Sequence, residues 1–195
     1  MLFTWDADAR DWGAAFEGGD GDSKLLEGLQ AEFDLCAFLP PGPVAEGESW
    51  EVPAAAFAAL ICPGGDLKLR TEQGEDRNTE VQLARTLQGK IHATLGSAGE
   101  DGLARIDLEL ELSARAERES EDGAGSEHQT NEYELSGALE WRRAAGHFEG
   151  IELAGKVRST IVKAHDSEMG GRQFHVESTL QFAGDVTYQL RASAP

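Results

Sequence analysis

The sequence predicts an α+β fold. It is a long, curved antiparallel β-meander, a half-barrel or incomplete barrel, with two short helices packed on the concave face. Three observations carry this expectation. From about residue 79 to the end, apolar and polar residues alternate over long runs. The connections between those runs are short and rich in turn-forming residues, whereas residues 1–78 mix short strand-like and helix-like segments with Pro/Gly breaks. Strict alternation means strands with one buried and one wet face, and short connections between successive strands imply antiparallel neighbours. The expected organisation is one domain over 1–195, with a mixed segment at 1–78 and the meander at 79–195.

Taken in order, Leu2 to Trp5 and Trp12 to Phe16 read as two short strands around the turn-prone Asp6-Ala7-Asp8-Ala9. Gly18 to Asp22 reads as a loop, and Ser23 as the cap of a helix carrying Leu25, Leu26 and Leu29 on one face. Pro40-Pro41-Gly42-Pro43 breaks the chain before a short strand at Ser49 to Val52. Pro53 stands where a second helix can start. Phe57, Leu60 and Ile61 continue it at helical spacing until Pro63-Gly64-Gly65 stops it.

In the meander, Val81, Leu83, Leu87, Ile91, Ala93 and Leu95 hold odd positions, and Ile106, Leu108, Leu110 and Leu112 even ones. Tyr133, Leu135, Leu139 and Trp141 are odd, as are Ile151, Leu153, Val157 and Ile161; Phe174, Val176, Leu180, Phe182, Val186, Tyr188 and Leu190 are even. Turns are expected at Ser97 to Gly102, Ala144 to Gly146 and Ser167 to Gly171, and the acidic tract Glu117 to Gln129 reads as a mobile hairpin tip. These turns place Ile91 opposite Leu108, Leu87 opposite Leu112, Val157 opposite Phe182 and Ile151 opposite Tyr188. Phe148 breaks the parity of its strand, which predicts a bulge at Glu149-Gly150. A final strand of about 60 Å, at ~3.3 Å per residue, must bend, and Gly155 and Gly184 are the expected places.

The formal net charge is −19, from 36 acidic against 17 basic residues. Such a surface repels nucleic-acid phosphates and anionic lipid headgroups, which argues against either as a generic partner. No stretch approaches the ~18 apolar residues of a membrane span, and Met1 to Asp6 lacks the regions of a signal peptide. The chain opens abruptly in a strand-like segment, so we expect a longer native precursor, with an export signal upstream as one form of it. Cys36 and Cys62 fit either a disulfide in an oxidising compartment or two buried thiols.

Candidate chemistry is sparse. His165 and His175 flank one hairpin and suggest a metal site with Asp166, Glu168 or Glu177, but parity puts the two rings on opposite faces. Asp107, Glu109 and Glu111 form one outward row and Glu132, Glu134 and Glu140 another, which reads as solvated sheet rather than a hydrolase pair. Asp6-Ala7-Asp8 and Asp20-Gly21-Asp22 lack the full ligand spacing of a calcium loop. Pro63-Gly64-Gly65-Asp66 lacks the lysine of a phosphate loop, and neither cysteine has a nucleophile motif. Trp50, Trp141, Phe174, Phe182 and Tyr188 are expected in the core, and Trp5 and Trp12 as packing residues in preference to a ligand mouth. No catalytic, cofactor-binding or metal-binding residue is nominated.

Pro43-Val44-Ala45-Glu46-Gly47-Glu48-Ser49-Trp50-Glu51-Val52 resembles a P-V-x-x-G-[DE]-[ST]-W-x-V segment of uncharacterised exported bacterial β-rich proteins. Gly137-Ala138-Leu139-Glu140-Trp141 through Gly146-His147-Phe148 to Leu153 is similar to a hairpin of the same proteins. The resemblance covers about a quarter of the chain and implies an extracytoplasmic bacterial protein, a secreted or lipoprotein-type domain. It carries over no functional residue.

Two functions are then expected. One is a non-catalytic domain that binds an apolar small molecule or lipid on the concave face of its sheet. The other is an acidic interaction or structural module of a larger exported protein, meeting a basic partner protein. A carboxylate-pair hydrolase is the minor third, and no cofactor is expected.

Overall fold

The computed structural model describes residues 2–6, 11–18, 21–26, 28–29, 35–63, 65–66, 70–71, 74–75, 79–99, 102–119, 125–169 and 172–192. Its strands are β1 (Leu2–Asp6), β2 (Asp11–Ala15), β3 (Gly28–Leu29), β4 (Ser49–Val52), β5 (Gly65–Asp66), β6 (Arg70–Thr71) and β7 (Gly74–Glu75). The long ones follow: β8 (Gln88–Ala98), β9 (Leu103–Glu119), β10 (Gly125–Arg142), β11 (His147–Met169) and β12 (Arg172–Arg191). The α-helices are α1 (Ala58–Ile61), entered through a 3-10 turn at Ala54–Phe57, and α2 (Thr79–Arg85).

Six strands form one open sheet in the order β12-β11-β10-β9-β8-β4, every neighbour antiparallel. The meander is therefore as predicted, with β4 added to its near edge through Trp50↔Ala93 and Val52↔Ile91. β1 and β2 form a separate hairpin with Trp5 opposite Trp12, their side chains lying outside the described residues. The expected turn between them, at residues 7–10, and the calcium-like runs through Asp8 and Asp20 also lie outside.

The predicted faces hold, but the predicted partners are displaced by two residues. Ile91 lies opposite Leu110, not Leu108, and Leu112 faces Gly89 in place of Leu87, which precedes the strand. Val157 faces Gly184 and Ile151 faces Leu190, not Phe182 and Tyr188. A slip of two residues returns every side chain to the same face, so alternation cannot detect it; turn position decides. The last hairpin closes at Met169↔Arg172, one residue later than the Met169-Gly170 turn on which the expected pairs rest, with residues 170–171 outside the described set. The bulge at Glu149 is present: Glu140 faces Gly150, the next residue Trp141 faces Phe148, and Glu149 is the extra residue. The acidic tip is shorter than expected, since β9 runs to Glu119 and β10 starts at Gly125.

Both sequence-predicted helices are reduced. Ser23–Leu26 is a single 3-10 turn, after which Leu29 pairs with Gly65 in a two-residue strand. The second becomes the 3-10 turn and α1, ended by Pro63 as predicted. The larger correction is at 79–85, where the alternation of Val81 and Leu83 belongs to helix α2. This helix covers the part of β9 that β8 does not reach. Thr86 Oγ1 accepts the Arg115 N–H at 2.8 Å and Gln82 Oε1 accepts the Glu117 N–H at 2.9 Å. Satisfying those edge donors outweighs a local strand preference.

The core forms where the N-terminal segments cover the sheet. Leu35, Phe38, Phe57, Leu60 and Leu83 pack on Ile91, Leu108, Leu110, Leu139, Ile151 and Leu153. Trp50 is pinned by its indole N–H donating to the Phe38 carbonyl at 3.0 Å. Gly137 and Gly155 mark close approaches between strands, where a Cβ would run into the Glu152 and Glu134 carbonyls. Gly184 has nothing within 4 Å of its Cβ position. No helix among the described residues is long and apolar enough to cross a membrane.

Candidate functional site

The histidine pair is resolved as parity predicted. His165 pairs with Val176 and His175 with Asp166, so the rings project from opposite faces. His175 Nδ1 lies 2.7 Å from Asp166 Oδ1 in an exposed pair. Among the described residues no group of three His, Cys, Asp or Glu is placed to hold a metal. No disulfide joins Cys36 and Cys62, and Cys36 is exposed, against the expectation of two buried thiols. The acid rows lie on the solvent face, where Glu132 pairs with Arg158 at 3.0 Å. Glu149, at the bulge, is held below the usual carboxylate range, chiefly by its hydrogen bond from Arg142.

The sheet face presented to the N-terminal segments is divided in two. Its near half is the packed core. Its far half, along β11 and β12, is uncovered: Phe174, Val176, Leu180 and Phe182 are 46%, 55%, 45% and 57% exposed. All four stand on the core-side parity of β12, and Phe174 and Phe182 are thus corrections to the expected core. Alternation names the side a residue faces and not whether the chain has anything left to lay over it. Further along the same strand Val186, Tyr188 and Leu190 do meet the core, because the segment carrying Phe57 reaches them.

Beside the apolar row the face turns polar. On β10 and β11, Gln129 Nε2 donates to Asn131 Oδ1 at 3.0 Å and lies 3.4 Å from Ser159 Oγ, and Asn131 Nδ2 donates to the Tyr133 hydroxyl at 3.0 Å. Asn131 is buried, and the ladder satisfies its amide. Farther out, a depression of about 370 Å³ is lined by Arg118, Glu127, Lys163 and His165, with Lys163 Nζ 2.7 Å from Glu127 Oε2. Arg118 stands opposite Glu127 where β9 pairs with β10, and Glu119 also lines the depression, so basic and acidic side chains are mixed there. Sequence reading missed this ladder. The signal was present: Gln129 and Asn131 are polar residues at the same odd parity as Tyr133 and Leu135, where apolar side chains are expected. Another depression, about 500 Å³, lies on the opposite, solvent face among Arg105, Glu140, Glu152 and Arg191.

Tyr133 joins the ladder to the core, and Tyr188 packs against the same Phe57 ring. Burial raises the Tyr133 phenol, with the Asn131 hydrogen bond acting the other way. Tyr188 is pushed up to about 12, by burial first and then by the charge Tyr133 would carry. Phenols whose folded pKa values lie above the unfolded value contribute stability below pH ~10 that is lost as pH rises toward 12. They are the chain's only two tyrosines. Absorbance at 295 nm therefore reads these groups alone and should titrate above ~10. Tyr188→Phe should remove the later step and flatten the alkaline fall in stability; titration of both near the unfolded value would contradict the packing.

No protein-family model, curated protein or solved structure matches this chain.

Proposed function

We propose that this chain is a non-catalytic binding domain that takes an amphipathic, lipid-like ligand on the uncovered half of its sheet face. The observation that carries this is the exposed row Phe174, Val176, Leu180 and Phe182. An acyl chain lies along that row and the half-buried Val157 and Ile161, removing apolar surface from water at ~25 cal/mol per Å². Its polar head meets Arg118, Lys163 and His165 at the far depression. The face is an open trough, not the enclosed cavity typical of small-molecule sites. The resemblance of residues 43–52 and 137–153 to exported bacterial proteins supports a site of action outside the cytoplasm, a reading tested by fractionation of cells expressing the full gene.

Titration with cis-parinaric acid, a fluorescent anionic acyl chain, tests the binding itself. Saturable binding displaced by palmitate is expected. Phe182→Glu should weaken it about tenfold or more, the equivalent of ~1.4 kcal/mol, with the unfolding midpoint little changed because Phe182 is mostly exposed. Affinity unaffected by Phe182→Glu and Leu180→Glu would remove the reading.

A further inference from the structure

β12 closes the far edge of the sheet and, among the described residues, pairs only with β11. It is 20 residues long, well beyond the short or proline-blunted edges that proteins present to solvent. Its hydrogen-bonding sense is set where the strand ends. The Ala192 N–H donates to the Glu149 carbonyl at 2.9 Å, and in an antiparallel ladder this assigns the inward bonds to even-numbered residues of β12. The N–H and C=O groups of odd-numbered residues, Gln173 through Arg191, point outward from the sheet.

Charge says what can meet this edge. The chain as a whole carries −19, so two copies repel across most of their surfaces. β12 itself is balanced: Arg172 and Arg191 offset Glu177 and Asp185, and it holds no other Asp, Glu, Lys or Arg. An antiparallel pairing of β12 with itself must join odd to odd residues, because those own the outward groups. That leaves a small set of registers about the centre of the strand. With Gln181 on the two-fold axis, Glu177 lies opposite Asp185 of the other copy twice, a like-charge contact that destabilises. With Phe182 on the axis, both acids face threonines. With Leu180 on the axis, His175 lies opposite Asp185, Phe174 opposite Val186, and Val176 opposite Gly184, where nothing lies within 4 Å of the Cβ position.

We propose that β12 is a self-pairing edge: two copies join antiparallel about Leu180 into one continuous twelve-stranded sheet. His175, already 2.7 Å from Asp166 through Nδ1, then presents its other ring nitrogen to Asp185 of the second copy. The two uncovered apolar faces meet side by side, so the trough of one copy continues into the next. The pairing does not depend on the ligand reading above, and its test contains no ligand.

Sedimentation of the full chain should show a monomer–dimer equilibrium that tightens with added salt, as screening relieves the mutual repulsion. Thr179→Pro removes an outward N–H without touching the bonds to β11, so it should raise the dimer dissociation constant about tenfold or more. Its unfolding transition at concentrations where both proteins are monomeric should be close to that of the parent. Paired residues without mutual hydrogen bonds have Cα atoms about 4.5 Å apart, within disulfide reach. In a Cys36→Ser, Cys62→Ser background, Leu180→Cys should therefore crosslink two copies on oxidation, with Gln181→Cys and Phe182→Cys well behind. A chain monomeric at every concentration and salt, a dimer indifferent to Thr179→Pro, or preferential crosslinking at Gln181 or Phe182 would each overturn the proposal.

Discussion

Phe57→Ala should cost about 3–5 kcal/mol of folding stability, the range for emptying a buried aromatic site. Phe57 is fully buried, and its ring stands edge-on to Tyr133 and Tyr188 at centroid distances of 5.5 and 5.4 Å. Those tyrosines belong to β10 and β12, so one side chain from the covering segment holds two strands of the sheet. Each edge-to-face pair contributes ~0.5–1.5 kcal/mol beyond its buried area. A domain of this size has a net stability of only ~5–15 kcal/mol, so the loss is a large fraction of the whole. Urea unfolding should show the midpoint fall accordingly, while Phe57→Leu, which keeps most of the volume, should lose about 1–2 kcal/mol. A shift below ~1 kcal/mol for the alanine variant would mean that the covering segment does not hold the sheet as described.

Gly137→Ala should be the next most damaging change, at about 1–3 kcal/mol or more. A Cβ there overlaps the Glu152 carbonyl oxygen and lies 2.9 Å from Leu153 Cα. Both obstacles are backbone held in the β10–β11 ladder, so neither can swing aside as a flexible side chain would. Gly155 is the mirror case, blocked by the Glu134 carbonyl and by Leu135 Cα at 2.9 Å. Neither glycine has a positive φ, so the need is for space and not for a left-handed backbone. Gly184→Ala is the control: its site is open, and the change should be near neutral or stabilising by ~0.4–1 kcal/mol through the unfolded chain. Thermal unfolding of the three variants separates the cases, and equal losses at Gly137 and Gly184 would rule out crowding as the cause.

The candidate face was only partly legible beforehand. The alternation of Phe174, Val176, Leu180 and Phe182 put them on the inner side of β12, which is correct. Their exposure was not foreseen, because coverage depends on how far the N-terminal segments reach across the sheet. Gln129 and Asn131 could have been noticed as polar residues at apolar parity. Their joining into a ladder with Tyr133 and Ser159 required the β10–β11 register. The helix at 79–85 was misread for a related reason: two apolar residues two apart are compatible with a strand, and the donors of β9 that α2 satisfies lie some 30 residues away.

By itself the sequence determined the antiparallel meander, the face of nearly every meander residue, the bulge at Glu149 and the separation of His165 from His175. These follow from a two-residue period and from short turns, which are local properties of the chain. Tertiary structure decided the cross-strand partners, since registers two residues apart present the same faces. It also decided the division of the inner face into a packed half and an open one. That division comes from matching a short covering segment against strands of up to 23 residues, a balance of lengths across the whole molecule.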